Sequence, residues 1–194
     1  MPYLRKACRT FGRRRPMNVA KEQGLISPGV PRDGGCWADL GSGTGIFTLA
    51  LSNLIGPESQ IYSVDTDGAA LSTQEGMFRR IPQHATLDFL VADFTKPLPL
   101  PPLDGILMAN SLHFIQTKEP VLGLAMSYLK PRGRLIIVEY NTNAGNHWVP
   151  YPIDFPSCKR LAERLGFADC RLLATTPSRF LGEMYSCLCI RGPD

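Results

Sequence analysis

Short apolar runs alternate with longer amphipathic stretches along the 194-residue chain from residue 36 onward. Short apolar runs bounded by turn residues favour buried strands, whereas apolar residues recurring every three or four positions favour helices. The pattern predicts strands at 36–40, 60–65, 85–93, 103–110 and 134–140, with helices at 46–56, 68–80 and 118–129. Pro131, Arg132 and Gly133 are predicted to form the turn before the strand at 134–140.

The C-terminal part of the chain has a different order of elements. A helix is predicted at 154–165, ended by Gly166, and two strands follow at 169–176 and 182–191. About six residues join these strands, which favours an antiparallel pair. Near the other terminus, a helix within 17–26 is predicted to lie over a functional site.

Strands that alternate with helices imply right-handed crossovers and a parallel sheet covered on both faces. The sequence therefore predicts an α/β fold with one doubly wound sheet, mostly parallel, closed by a C-terminal antiparallel hairpin. Residues 17–194 are expected to form a single domain, since this length buries a sizeable core. Residues 1–16 are expected to form a basic, disordered arm.

Charge separates the arm from the rest of the chain. The net charge is +4, but the first fifteen residues carry six basic side chains and no acid, so the remainder is weakly acidic. Such an arm could contact nucleic acid, serve as an organelle-targeting segment, or be a disordered or vector-derived terminus. No apolar run approaches the roughly 20 residues that span a bilayer. We therefore expect no membrane span and a cytoplasmic location.

The cysteines indicate a reducing compartment rather than a disulfide framework. There are six, and none forms a C-x-x-C pair. We expect small buried thiols, with Cys187 and Cys189 on one face of a strand. No compact cluster of Asp, His and Glu stands out beyond the glycine-rich stretch, so no metal site is predicted.

The stretch WADLGSGTGIFTLAL, residues 37–51, places three glycines where a strand passes into a helix. Glycine permits positive φ and lets the backbone lie against a ligand, and parallel sheets bind ligands beyond the carboxyl ends of their strands. A dinucleotide site would need Gly or Ala where Ile46 stands, and a P-loop would need G-K-[ST]. Both of these phosphate-binding interpretations are disfavoured.

The chain resembles the class I S-adenosylmethionine-dependent methyltransferases from about residue 36 to its C-terminus. Four stretches carry the resemblance in order: DLGSGTG, IYSVDTD, VADF and LKPRGRLIIVEY. ILMANSLHFI further resembles the branch that includes quinone-biosynthesis C-methyltransferases and many small-molecule enzymes. Two features differ: Arg132 interrupts the usual P-G-G, and the N-P-P-Y motif typical of exocyclic amino-group methylation is absent after 103–110.

The resemblance implies a Rossmann-like seven-stranded sheet, S-adenosylmethionine as cofactor, and in-line methyl transfer to a small-molecule acceptor. Asp65 would hold the ribose hydroxyls and Asp93 the adenine amino group, while Asp39 would either pin loop amides or contact the cofactor's ammonium group. The implied cofactor-binding residues are Asp39, Gly41, Ser42, Gly43, Thr44, Gly45, Asp65, Thr66, Asp93, Phe94 and Asn110.

Catalytic residues are not evident, because an activated sulfonium mainly requires an aligned nucleophile. His113, Tyr140 and His147 are candidates for contact with the acceptor, although each histidine could equally be a packed imidazole without a chemical role. The loop 141–153 could form an acceptor wall. Two other functions stay open: a nucleic-acid methyltransferase that uses the basic arm, and a cofactor-binding protein without catalysis. An NAD oxidoreductase is disfavoured.

Overall fold

The computed structural model of the protein describes residues 19–81 and 85–193, and its strands form one seven-stranded sheet. In chain order the strands are β1 (Cys36–Leu40), β2 (Ser59–Asp65), β3 (Ala85–Val91), β4 (Leu103–Ala109), β5 (Leu129–Tyr140), β6 (Phe167–Ser178) and β7 (Gly182–Arg191). The helices are α1 (Ala20–Ile26), α2 (Ile46–Ser52), α3 (Gly68–Phe78), α4 (Glu119–Tyr128) and α5 (Phe155–Arg164), with a 3-10 turn at Leu112–Phe114.

The strand order across the sheet is β3-β2-β1-β4-β5-β7-β6. Strands β1 to β5 run parallel, whereas β7 pairs antiparallel with both β5 and β6. The predicted α/β doubly wound sheet with a C-terminal antiparallel hairpin is therefore confirmed. The winding reverses between β1 and β4, which places a ligand crevice at the carboxyl ends of these two strands.

Helices cover both faces of the sheet, and each face has its own apolar core. Residues of α4 and α5 pack over one face, where Leu122 and Leu161 join the buried side chains of β4 and β5. Residues of α1, α2 and α3 cover the other face around the fully buried Trp37. The near-continuous apolar runs of β1 and β4 follow from burial on both faces.

The N-terminal helix differs from its predicted position. Helix α1 packs against α2 and β6, and Leu25 and Ile26 are buried in the core around Trp37. The hydroxyl of Ser186 on β7 donates to the Leu25 carbonyl, 2.6 Å away, and fixes the helix on the sheet. No described residue of α1 lines the crevice, so the prediction of a helix over the site is wrong. Residues 1–18 lie outside the described residues.

The largest differences from the predicted element bounds concern α2, β5 and the connection between β6 and β7. Helix α2 ends at Ser52 rather than near Gly56. Strand β5 begins at Leu129 instead of residue 134, but its pairing with β4 shifts register between Leu129 and Arg134, where Arg132 has a left-handed φ of 61°. The predicted turn at 131–133 therefore lies inside the strand as an irregularity. The connection between β6 and β7 spans only residues 179–181, so the hairpin is tighter than expected.

The cysteine prediction is partly wrong. Cys170 on β6 lies directly opposite Cys189 on β7, and the structure joins them in a disulfide. Cys187 and Cys189 do share one buried face of β7, as predicted, and Cys187 keeps a free thiol. Among the described helices, none is long and apolar enough to cross a membrane.

Candidate active site

A cavity of about 410 Å³ opens at the carboxyl ends of β1, β2 and β4. It lies at the reversal of strand order and falls within the usual size range of small-molecule sites. Its lining contains seven of the eleven predicted cofactor-binding residues, together with Thr95 and three further residues that follow β4. The lining residues are Gly41, Gly43, Asp65, Thr66, Asp93, Phe94, Thr95, Asn110, Ser111, Phe114 and Ile115.

The glycine loop between β1 and α2 brings bare backbone to this cavity. Gly41 has a φ of 79°, and a Cβ there would lie 2.4 Å from the Cβ of Ser111. Gly43 has a φ of 54° and open space where a Cβ would stand. Both lie at the cavity wall, as the sequence predicts. Only glycine combines this backbone conformation with the close approach at position 41.

The other three residues of the loop lie outside the cavity lining. Gly45 packs against Gln74, because a Cβ at Gly45 would lie 2.4 Å from the Gln74 side chain. Ser42 is buried and hydrogen-bonded to Ser63, at 2.8 Å, and to Gln74, at 3.3 Å. Thr44 is exposed. We call Ser42, Ser63 and Gln74 the polar support, since they hold the loop from below rather than line the cavity.

Asp65, at the end of β2, joins the loop to the cavity. Its Oδ2 accepts the N–H of Gly43 at 2.8 Å, and its Oδ1 accepts the N–H of Asp67 at 2.9 Å. Each carboxylate oxygen can accept a second hydrogen bond, so the group can still receive a pair of neighbouring hydroxyls. The carboxylate is thus held in place by the backbone before any ligand arrives.

Asp93 and Phe94 lie on the turn after β3 and line the cavity beside Asp65. Asp93 Oδ1 accepts hydrogen bonds from both the N–H and the hydroxyl of Thr95, at 2.9 and 2.7 Å. These hydrogen bonds lower the pKa of the Asp93 carboxyl, which is therefore ionised at neutral pH. An ionised acceptor at this position suits an exocyclic amino group.

Two buried oxygens near the glycine loop have no hydrogen-bond partner within the described part of the chain: Asp39 Oδ1 and Asn110 Oδ1. Asp39 Oδ2 accepts only the hydroxyl of Thr48, at 2.6 Å, and burial, aided by the Asp65 charge, raises the pKa of Asp39 to about 7. Asn110 lines the cavity with a left-handed φ of 55°. Orphaned buried acceptors fit a ligand that carries donors or positive charge.

His113 and Glu139 form a buried pair beside the cavity. Glu139 is fully buried at the end of β5, and its two oxygens accept the His113 backbone N–H at 3.0 Å and the ring Nδ1 at 2.8 Å. Since Nδ1 is the ring nitrogen that contacts Glu139, Nε2 is the ring nitrogen on the far side of the imidazole from the carboxylate. The His113 ring lies 4.3 Å from that of Phe114, which lines the cavity.

The other two catalytic candidates have different surroundings. The ring of Tyr140 lies 5.9 Å from that of His113, and burial together with the Glu139 charge raises the pKa of Tyr140. Tyr140 is therefore protonated at neutral pH and is not a base. His147 is exposed, with its ring 5.4 Å from that of Trp148. The structure thus brings together His113 and Tyr140, whereas His147 has no buried partner among the described residues.

The loop 141–153 is pinned against the turn that carries His113. The N–H of Tyr151 donates to the His113 carbonyl at 3.0 Å, and Asn146 Oδ1 accepts the N–H groups of residues 148 and 149. Phe114, Trp148 and Tyr151 are exposed on this side of the molecule. The backbone of the loop is therefore fixed next to His113, but no residue of 141–153 lines the cavity, and the role of the loop as an acceptor wall stays a prediction.

Two residues of this region were missed by sequence reasoning. Glu139 was not among the predicted site residues, although a glutamate inside the apolar run RLIIVEY is itself a signal of a buried carboxylate. Lys118 carries no such signal, because it precedes a helix in a polar stretch. Its burial becomes visible only in the fold.

A seven-stranded doubly wound sheet, with a glycine loop after β1 and a carboxylate at the end of β2, defines a class I methyltransferase architecture. A family model described as a methyltransferase domain matches residues 33–174. The chain belongs to this methyltransferase-domain family. The predicted family is therefore confirmed, and with it S-adenosylmethionine as the cofactor.

Individual relatives agree with this assignment. The chain is 31% identical over 111 residues to a ubiquinone/menaquinone biosynthesis C-methyltransferase, UbiE, of Pseudomonas savastanoi pv. phaseolicola, an alignment that covers 57% of this chain and 43% of the relative. The chain thus spans less than half the length of that protein. The SeMet-substituted CurJ carbon methyltransferase has a TM-score of 0.71 at 17% identity, over 90% of this chain and 55% of that one. An arsenic(III) S-adenosylmethionine methyltransferase of Chlamydomonas reinhardtii has a TM-score of 0.70 at 18% identity, over 91% and 70%.

Proposed function

We propose that the protein transfers a methyl group from S-adenosylmethionine to a carbon atom of a small, partly apolar acceptor, with His113 as the general base. The observation that carries this proposal is the buried His113–Glu139 pair beside the cofactor cavity. A carbon acceptor must lose a proton on methylation and therefore needs a general base. The buried Glu139 carboxylate would orient the His113 imidazole so that the other ring nitrogen can act as this base.

Four groups would hold the cofactor: Asp65 at the ribose, Asp93 at the adenine, and Asn110 with the glycine loop at the methionine part. When bound, the cofactor supplies an electrophilic methyl group on a positively charged sulfur. Micromolar affinity requires about 8 kcal/mol, whereas a helix N-terminus contributes about 0.3–1 kcal/mol. Helix α2 has only seven residues. The carboxylate contacts must therefore contribute most of the affinity.

The proton follows a defined path through the chain's own residues. His113 Nε2 accepts the hydroxyl proton of the phenolic or enolic acceptor as the neighbouring carbon takes the methyl group, and the proton on that carbon is lost afterwards, when the phenol or enol is restored. Glu139 then stabilises the imidazolium, because it already accepts from Nδ1 at 2.8 Å. General base catalysis of this kind contributes about 10²–10⁴-fold in rate. The proton afterwards returns to solvent, which restores the neutral imidazole.

The class of acceptor is inferred from the aromatic residues near His113 and from the proteins to which this chain is similar. The exposed ring of Phe114 lies 4.3 Å from the His113 ring, and the exposed residue Tyr151 is hydrogen-bonded to His113 through its backbone. Similar proteins include a quinone-biosynthesis C-methyltransferase and a carbon methyltransferase. These support a phenolic or enolic acceptor with an apolar body. A cytoplasmic location rests on the sequence alone and stays a prediction, which cell fractionation of tagged protein tests.

The nucleic-acid alternative depends on residues 1–16, which lie outside the described residues, and it stays a prediction as well. It requires methyl transfer that weakens steeply with salt and is lost when this arm is removed. The third alternative, a binding protein without catalysis, requires tight cofactor binding with no turnover on any acceptor.

Two variants test the proposed function, with Asp88→Ala as the matched control. Asp88 is an exposed carboxylate on β3 bonded to Gln60, away from the cavity lining. By calorimetry, Asp65→Ala should weaken S-adenosylmethionine binding by roughly 10²-fold, because two charge-assisted hydrogen bonds are lost. His113→Gln should bind normally yet lose about 10²-fold or more in release of demethylated cofactor with reduced quinones and other phenols. Folded wild-type protein that does not bind the cofactor would refute the proposal.

A further inference from the structure

Lys118 is a buried lysine beside the proposed base. It immediately precedes α4 between exposed neighbours, yet only 6% of its surface is accessible. Lysine is almost never this buried unless its ammonium group is paired, because removing the charge from water is costly. The ammonium group of Lys118 is therefore expected to have polar partners within the protein.

The ammonium group of Lys118 joins the two segments that flank His113. Nζ donates to the carbonyl of Ile115, at 2.6 Å, and to the carbonyl of Tyr151, at 2.7 Å. The N–H of Tyr151 in turn donates to the carbonyl of His113 at 3.0 Å. These three hydrogen bonds tie the turn after β4 to the loop 141–153, with the His113 backbone between them.

The charge of Lys118 has a counterpart in Glu139. Burial lowers the pKa of the Lys118 ammonium, and the negative charge of Glu139 is the leading opposing influence, followed by Cys158 and Glu119. Glu139 also faces Tyr140 on its own strand and Tyr185 on β7. Glu139 accepts hydrogen bonds from the backbone N–H and the ring of His113 and from the backbone N–H of Tyr140. The Lys118 ammonium group is held next to this unit through the Tyr151 carbonyl, so its positive charge acts on Glu139 at longer range rather than through an ion pair.

We propose that Lys118 is a positioning residue for the reaction: its ammonium group fixes the His113 segment and keeps Glu139 ionised, so that His113 presents a proton-free Nε2 to the acceptor. This inference rests on the proposed function for its catalytic meaning. A merely structural lysine would stabilise the fold without changing how the imidazole titrates.

Three substitutions separate the charge of Lys118 from its hydrogen bonds. Lys118→Met removes both, Lys118→Gln keeps N–H donors for the carbonyls without the charge, and Lys118→Arg keeps the charge. Lys159→Met is the matched control, because Lys159 also donates to a backbone carbonyl, that of Cys170 at 2.8 Å, but is half-exposed on α5.

The readout is an NMR titration of the His113 imidazole in the cofactor-free protein, assigned with His113→Gln because the chain has three histidines. Loss of the Lys118 charge favours proton uptake by the His113–Glu139 pair. The midpoint of the His113 NMR titration should therefore rise by about one pH unit in Lys118→Met and Lys118→Gln. The midpoint should stay within about 0.3 unit of wild type in Lys118→Arg and in the control. With acceptor, kcat should fall about tenfold or more in Lys118→Gln, while the cofactor Kd stays unchanged.

A folded Lys118→Gln protein with a wild-type midpoint would overturn the proposal, and this variant decides the matter even where Lys118→Met does not fold. A lowered melting temperature with an unmoved midpoint would assign Lys118 to the scaffold alone and also overturn it. Failure of the proposed function gives a different result: wild-type protein would not bind the cofactor or turn over. The titration could then still be measured on its own.

Discussion

Replacing Asp39 by asparagine is expected to stabilise the cofactor-free protein at neutral and alkaline pH. Asp39 is almost completely buried at the end of β1, where only the Thr48 hydroxyl donates to it and the second oxygen has no partner among the described residues. Burial is the main cause of the raised pKa of its carboxyl, which moves from 3.8 to about 7. An ionised Asp39 is thus an unfavourable group in the folded protein.

The size of the expected change in the free energy of unfolding follows from the shift in the Asp39 pKa. A difference of about three pKa units corresponds to about 4 kcal/mol at roughly 1.36 kcal/mol per unit. Because the folded-state pKa lies above the unfolded value, the folded protein binds the extra proton more tightly. The stability contributed by this proton is fully present below about pH 4 and is lost as the pH rises toward 7.

Urea unfolding of wild type and Asp39→Asn between pH 4 and 8.5 tests this reasoning. The free energies of unfolding should diverge with rising pH, with the variant more stable by roughly 2–4 kcal/mol at pH 8. The exposed Asp88→Asn serves as the control and should follow the wild-type profile. Parallel profiles for Asp39→Asn and wild type would refute the argument. If Asp39 also contacts the cofactor's ammonium group, the same variant should bind the cofactor more weakly despite its greater stability.

Two further predictions follow from the loop and from α5. Gly41→Ala should abolish cofactor binding and lower stability by about 1–3 kcal/mol, because its Cβ would meet Ser111, whereas Gly43→Ala should cost only its backbone strain of about 1–2 kcal/mol. Thermal melts and calorimetry check this, and equal losses in the two variants would contradict it. Asp154→Ala should cost about 1 kcal/mol in urea unfolding, since Asp154 caps α5 by accepting the Ser157 N–H at 2.9 Å. Asp169→Ala, outside any helix, is its control, and an equal effect there would count against the cap.

The sequence predicted the structure correctly where residues close together in the chain determine it. The bounds of β1 agree with its prediction because an apolar run ends at a glycine, and α5 lies between the capping Asp154 and Gly166 as expected. The cavity residues Asp65 and Asp93 were predicted through the family resemblance, because the stretches IYSVDTD and VADF match its motifs, and both residues line the cavity.

Long-range contacts decided the rest. His113 and Glu139 are 26 residues apart and meet only because β4 and β5 are neighbours in the sheet. Gly45 was predicted to touch the cofactor, but its position is set by Gln74 on α3. Helix α1 was misplaced because its apolar residues Leu25 and Ile26 are buried against α2 and β6 in the core around Trp37, contacts that local sequence does not reveal. None of these partners can be read from spacing along the chain.

The polar support beneath the glycine loop couples distant parts of the chain. Ser63 lies in the central part of β2 and Gln74 in the middle of α3, and Gln74 Nε2 also donates to the Gly43 carbonyl at 3.1 Å. The amide hydrogens of residues 41–45 should therefore exchange with solvent as slowly as those of α3, and more slowly than those of an ordinary surface turn. Because the loop is already rigid before the cofactor binds, binding should cost little conformational entropy of the chain.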